Sequence, residues 1–267
     1  MLNAIVLALS MAPASVDMNV EYDKPGGTAV HMDIYKPAHA GDRPAVVVIH
    51  GGGWMAGNRK DMAPFCEKLV ERGYVVANVQ YRLAPTHKWP AMLDDVQSAV
   101  RFLRRNALMY RVDPKRIGSL GASAGGHLAL MLGVTDSAKP SPHSSKVSAV
   151  VNIFGVSDFT AMLPNWSLLS DSLFGVKPAD VRPIMAGASP ITHLDKDDAP
   201  VFTFHGTADW LVPLSQSIAL DSKLKQLGIG HEFVQIKDSG HEVDIKRQDV
   251  RDALEAMQKW LDRQLKP

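Results

Sequence analysis

One cysteine, Cys66, stands in a chain of 267 residues. A lone thiol excludes an intrachain disulfide framework and any Cys-rich zinc site, and reads as a small buried hydrophobe. Charge of one sign is equally scarce: 29 Lys and Arg face 28 Asp and Glu, a formal net charge of +1. Without a basic excess nothing drives counterion release along a phosphate backbone, so nucleic acid is not an expected partner. No apolar run approaches the ~20 residues that span a bilayer. Internal repeats, low-complexity tracts and linker-like boundaries are missing too. What remains is 46% hydrophobic and 21% charged, the mix of a folded globular chain, at a length that suits one α/β core.

The amino terminus is the segment least tied to that core. Ala4 to Leu9 is a short apolar run, and Ala12-Pro13-Ala14 offers a small-x-small cleavage site. That is the shape of a secretory signal, but no Lys or Arg precedes the run. Two readings stand: a cleaved signal, implying a secreted or periplasmic protein, or a short helix or tail on a cytoplasmic one. Residues 1–16 are assigned to this segment and residues 17–267 to a single domain.

Beyond it, strands and helices alternate. Residues 29–35 alternate polar and apolar. Ala45 to Ile49 is a continuous apolar run ending in glycines, as expected for a strand buried on both faces. Similar runs cover 74–79, 117–120, 147–154, 201–204 and 232–236. The clearest helix starts at Pro90, with Met92, Leu93, Val96, Ala99, Val100, Leu103 and Ala107 on one face. Asp94 and Asp95 near its start and Arg101, Arg104 and Arg105 near its end suit the helix dipole, the arginines as a solvated face. This pattern predicts an α/β fold with a mostly parallel sheet covered on both sides. Such sheets bind ligands beyond the carboxyl ends of their strands. His50, Ser123, Asp158 and the stretch His205 to Asp209 fall there. Residues 155–200 read as a lid-like insertion over that edge.

Gly121-Ala122-Ser123-Ala124-Gly125 lies between a strand and a helix-competent stretch. This is the G-x-S-x-G context that pushes a serine hydroxyl clear of a sheet, leaving the Ala124 N–H at a helix start to meet a developing oxyanion. His50-Gly51-Gly52-Gly53-Trp54 follows the 45–49 strand, and its glycines let backbone amides approach a tetrahedral oxygen. A dinucleotide fingerprint fails there, because the next strand ends Asn78-Val79-Gln80 without an acidic residue for a ribose. A P-loop fails for want of Gly-Lys-Ser/Thr. His50 reads as a structural hydrogen-bonder.

A serine nucleophile needs a base and an orienting carboxylate. Asp209, in His205-Gly206-Thr207-Ala208-Asp209, and His241, in Ser239-Gly240-His241, follow successive strands in the order Ser, Asp, His. Asp158 is the rival acid. Glu242 and Asp244 lie too close in sequence to reach the far nitrogen of His241. His127 is expected to pack or cap. No metal site is supported: the partners of His231 and His241 at helical spacing are Gln235 and Ile245.

With these motifs, and with Tyr81-Arg82-Leu83-Ala84-Pro85, Asp113-Pro114-Lys115-Arg116-Ile117, Gly125-Gly126-His127 and Ala188-Ser189-Pro190, the chain resembles the esterase/lipase superfamily of α/β-hydrolases. It is most similar to hormone-sensitive-lipase-like esterases and to feruloyl-esterase-related (BD-FAE-like) carbohydrate esterases, from about Val30 onward. The resemblance implies Ser123 as nucleophile, His241 as base then acid, and Asp209 as orienting group. It also implies oxyanion donors at Gly52, Gly53 and Ala124, with Trp54 as substitute, and no cofactor. Trp54, Trp166 and Trp210 are the expected substrate-binding residues. The segment before Pro44 is too short and strand-like for a large amino-terminal cap, so Phe159, Trp166 and Phe174 of the insertion supply the lid. A fairly open site for short acyl esters, acylated sugars or small aryl esters follows. Two other functions use the same residues: amide or formamide hydrolysis, and ligand binding on a hydrolase scaffold. No partner beyond a small-molecule ester is expected, and a homo-oligomer is left open.

Overall fold

The structure is a computed structural model that describes residues 14–38, 41–162, 170–177 and 180–266. The apolar run at residues 4–9, on which the signal-or-tail readings rest, lies outside the described residues. Eight strands form one sheet: β1 (Ser15–Asp23), β2 (Val30–Lys36), β3 (Arg43–Ile49), β4 (Val75–Val79), β5 (Val112–Ala122), β6 (Ala149–Ile153), β7 (Val201–Gly206) and β8 (His231–Ile236). Their order is β1-β2-β4-β3-β5-β6-β7-β8. β1 and β2 pair antiparallel with each other, and β2 pairs antiparallel with β4. From β4 to β8 every pairing is parallel.

The continuous apolar runs have the expected cause. On β3, Ala45, Val47 and Ile49 face one core cluster while Val46 and Val48 face the other. The first cluster is closed by α2 (Ala91–Arg105), the short α3 (Ala107–Tyr110), α4 (Ala124–Val134) and α6 (Ser215–Leu227). The second is closed by α1 (Ala63–Glu71) and α7 (Gln248–Leu265), whose Val250, Ala253, Met257, Trp260, Leu261 and Leu265 make one apolar stripe. Burying each such aliphatic or aromatic side chain contributes roughly 1.5–3 kcal/mol, which anchors both layers on the sheet. Cys66 is wholly buried in the second cluster. Among the described residues, no helix is long and apolar enough to cross a membrane.

Three expectations need correction. Strand pairing starts at Ser15, inside the segment assigned to a tail, because Val16, Met18, Val20 and Tyr22 alternate with polar residues as an edge strand. Of the three arginines near the end of α2, Arg105 is exposed as expected, but Arg101 and Arg104 are not a solvated face. Arg101 is buried against the carbonyl of Lys139, and Arg104 donates to the carbonyls of Pro114, Ser144 and Lys146. Asp95 is not a dipole partner in water; it is buried and holds Arg82 in a two-pronged ion pair, Nη2 to Oδ1 at 2.7 Å and Nε to Oδ2 at 2.9 Å.

The described part of residues 155–200 contains α5 (Val181–Gly187) and short turns of helix around Phe159, Ser170–Phe174 and Pro190. Phe159, Leu173, Phe174, Val181 and Ala188 belong to the first core cluster, so this segment is anchored in the body of the molecule.

Candidate active site

β5 turns directly into α4 at Ser123, which sits at φ 57° and ψ −119°. A non-glycine residue there costs on the order of 1–3 kcal/mol, and the surroundings hold it in place. The Ser123 N–H donates to Ile153 O at 2.9 Å, and its carbonyl accepts from His127 N at 3.0 Å. Gly125 permits the bend: a Cβ there would stand 2.1 Å from the carbonyl oxygen of Ile49. The loop after β3 thus lies against the start of α4. A Cβ on Gly51 would be 3.4 Å from Ser123 Cβ, and Gly52 and Gly53 continue past it with positive φ. Ala124 opens α4, so its N–H has no partner within the helix.

The loops after β7 and β8 are laced together. Thr207 N donates to Ile236 O, Ala208 N to Ser239 O and Asp238 N to Thr207 Oγ1, each at 2.9 Å. This brings Asp209 under His241. His241 Nδ1 donates to Asp209 Oδ2 at 2.7 Å, and His241 Nε2 lies 2.8 Å from Ser123 Oγ. Since a carboxylate only accepts, the ring proton sits on Nδ1, and Nε2 carries the lone pair that faces the hydroxyl. The ring of Phe154 packs against that of His241, with centroids 4.4 Å apart. The three residues expected from the sequence are therefore brought together across separations of 86 and 32 positions (209 − 123 and 241 − 209).

Asp209 has a fully buried carboxylate. Oδ1 accepts the N–H groups of Leu211 and Val212, both at 2.9 Å, while Oδ2 also lies 3.2 Å from His205 Nε2. Burial alone raises a carboxyl pKa, but donation from His205, His241 and the Val212 N–H outweighs it and holds this one well below the usual range. Sequence reasoning did not give His205 this role. The signal was there, a histidine four residues before the acid at a strand end, but four-residue spacing alone does not show a shared oxygen. His205 Nε2 also reaches Val212 O at 2.9 Å, and Nδ1 meets Ser217 Oγ at 2.7 Å.

The other named residues fall elsewhere. Asp158 caps its own turn, accepting from Thr160 N at 2.8 Å and Thr160 Oγ1 at 2.6 Å. His50 is buried, stacked on Tyr81, with Nδ1 donating to Gly51 O at 2.7 Å, and burial lowers its pKa. His127 packs inside, as expected. Trp54 needs correction as a substrate-binding side chain: its ring is 1% exposed and turned into the core against His127 and Phe159. Trp210, next to Asp209, is 82% exposed. Trp166 lies outside the described residues. Among the described residues, no group of three or more His, Cys, Asp and Glu is placed to hold a metal ion.

The BD-FAE family model matches residues 32–224, which include the glycine loop, Ser123 and Asp209 and stop before His241. Esterase LipQ of Mycobacterium tuberculosis is 30% identical over 238 residues, 83% of this chain and 56% of LipQ. The chain spans about half the length of the sequence relatives it matches. A truncated carbohydrate esterase from gut microbiota superposes with a TM-score of 0.81 at 29% identity, over 97% of this chain and 99% of that one. Butyrate-bound Est2 of Thermogutta terrifontis gives a TM-score of 0.81 at 28% identity, over 97% of each chain.

Proposed function

Since the chain belongs to the BD-FAE family and has the α/β-hydrolase fold, we propose that it is a serine hydrolase that cleaves short-chain carboxylic esters through an acyl-serine intermediate. The observation that carries this reading is the continuous relay from Ser123 Oγ through His241 to Asp209, 2.8 Å and 2.7 Å long. Ser123 Oγ attacks the ester carbonyl as its proton passes to His241 Nε2. The imidazolium is stabilised by the ionised Asp209. Charge developing on the carbonyl oxygen meets the N–H groups of Ala124, Gly52 and Gly53, each well-placed donor contributing about 3 kcal/mol. Collapse breaks the ester C–O bond, and His241 returns the proton to the departing alcohol. Water then attacks the acyl-Ser123 carbon, giving its proton to His241, and the acid leaves as Ser123 regains its hydrogen.

The acyl preference rests on two supports. The described residues ahead of β3 form β1, one short helical turn at Pro25–Gly27 and β2, and no helical cap is among them. Similar structures carry butyrate and propionate, and one is a carbohydrate esterase. Acetylated or otherwise short-acylated sugars are accordingly the substrate class, with Trp210 at the site's margin. The test is a panel of nitrophenyl esters from acetyl to hexadecanoyl, with acetylated and feruloylated sugars and formamides, on wild type and Ser123→Ala. Acetyl and butyryl esters should turn over fastest, and Ser123→Ala should lose activity on all. Faster hexadecanoyl than butyryl hydrolysis overturns the acyl preference; formamides cleaved faster than any ester overturn the reaction class.

A further inference from the structure

Trp54 ends the glycine loop with its ring turned inward. The indole N–H donates to His127 Nδ1 at 3.2 Å, and the rings meet edge-on with centroids 5.3 Å apart. His127 Nε2 lies 2.7 Å from the carbonyl oxygen of Ala188. A carbonyl only accepts, so Nε2 carries the ring proton and Nδ1 offers Trp54 a lone pair. Burial holds the pKa of His127 down at about 4, which keeps that lone pair in place near neutrality. Along the backbone His127 is one turn past the nucleophile, donating to Ser123 O at 3.0 Å. His127 therefore ties three segments: its imidazole holds the glycine loop through Trp54 and the 155–200 stretch through Ala188, and its backbone sits at the start of α4.

The loop needs such a tie. Gly52 and Gly53 have no side chains to pack, and both lie at positive φ. His50 pins only the near end, bonding to Gly51 O and accepting from Gln80 Nε2 at 3.2 Å. Trp54 fixes the far end twice: its carbonyl accepts from Ala84 N at 2.9 Å, and its indole N–H reaches the helix that carries Ala124.

We infer that His127 is a positioning residue: by accepting the Trp54 indole N–H it sets the gap between the glycine-loop amides and the Ala124 amide, so that both reach one oxyanion. This rests on the ester-hydrolase reading above. A misplaced donor set slows the chemical step more than it weakens substrate binding, because the oxyanion exists only on the way to the intermediate.

Four variants test it. Asparagine at 127 places an acceptor near the position of Nδ1 and keeps the Trp54 bond. Glutamine reaches the position of Nε2 and keeps only the Ala188 bond. Phenylalanine keeps ring volume and loses both, and Trp54→Phe removes the donor. On nitrophenyl acetate, His127→Gln, His127→Phe and Trp54→Phe should each lower kcat about 100-fold with KM changed less than ~3-fold, while His127→Asn stays within ~10-fold of wild type. The double variant His127→Phe/Trp54→Phe should be no slower than the slower single. In protein labelled with 15N-tryptophan, the indole signal that Trp54→Phe removes should lose protection from solvent exchange in His127→Gln but keep it in His127→Asn. If His127→Phe does not fold, His127→Gln and Trp54→Phe carry the comparison. Ser123-dependent turnover with unimpaired His127→Gln and Trp54→Phe overturns this inference alone, as does equal impairment of the Asn and Gln variants. Wild type without Ser123-dependent turnover overturns the ester-hydrolase reading, and this inference with it.

Discussion

Asp209→Asn replaces one oxygen by an NH2 group of nearly the same size, and the surroundings decide which way the amide turns. If the NH2 faces Leu211 and Val212, it opposes two N–H groups that now donate to Oδ1 at 2.9 Å. That arrangement loses both hydrogen bonds and leaves the buried Val212 donor unpaired, which alone costs about 1–3 kcal/mol. The carbonyl therefore keeps those two bonds and the NH2 faces His205 and His241. His241 Nδ1, now 2.7 Å from a carboxylate oxygen, must then accept a hydrogen bond. The ring proton moves to Nε2, the atom 2.8 Å from Ser123 Oγ, and the base has no lone pair there to receive the hydroxyl proton. Loss of the correct tautomer costs about 10⁴-fold in kcat, close to 5.5 kcal/mol, with little change in KM. Steady-state kinetics on nitrophenyl butyrate measure it, with thermal melting to show that the fold survives. A folded Asp209→Asn enzyme within tenfold of wild-type kcat, on the order of 1.4 kcal/mol, refutes the assignment of Asp209 as the orienting group.

Three further outcomes follow from the same structure. Gly125→Ala puts a Cβ 2.1 Å from Ile49 O and 2.6 Å from His50 O, both backbone atoms that cannot swing aside, so soluble yield and melting temperature should fall sharply; a wild-type melting curve contradicts this packing. Asp95→Ala leaves the largely buried Arg82 guanidinium without its carboxylate and should cost ~3–5 kcal/mol in urea unfolding; a loss below ~1 kcal/mol, the value of a surface pair, counts against the buried bridge. His127 is neutral when folded, with its pKa lowered to about 4. Above its unfolded value of roughly 6.5 neither state is protonated and stability is full; as pH falls from there to about 4 the unfolded chain binds the proton first, and about 3 kcal/mol is lost. Burial lowers the pKa of His50 and His231 as well, so they act in the same direction. Urea unfolding at pH 7 and 4.5 should show a smaller drop for His127→Phe than for wild type, and equal drops contradict the neutral, buried imidazole.

Where a feature follows from local chemistry, the sequence shows it. Ala45 to Ile49 reads as a two-sided buried strand because its residues feed both core clusters. Ser123 reads as a bend because only glycine fits at position 125. Asp209 and His241 could be chosen by their place after strands, since a parallel sheet gathers strand ends at one edge. Features made by distant partners stayed hidden. Arg101 and Arg104 have the spacing of a solvated face, yet carbonyls from 114, 139, 144 and 146 come to meet them. The inward turn of Trp54 depends on an acceptor 73 residues away. The bond of His205 to Asp209 depends on a side-chain direction that spacing does not encode. β5 begins at Val112, although Asp113-Pro114-Lys115 has no strand pattern, because Val112 pairs with Arg43 of β3 before the register shifts.

The central claim, that Ser123 Oγ forms the bond to the acyl group, is tested most directly by trapping that bond. Wild type mixed with nitrophenyl butyrate, quenched in acid within the first turnover and digested, should yield a butyryl adduct on the peptide that carries Ser123. The adduct should disappear when the quench is delayed past substrate exhaustion, and Ser123→Ala should form none. Ester turnover with no adduct at any early time, or an adduct on another residue that persists in Ser123→Ala, would contradict the account.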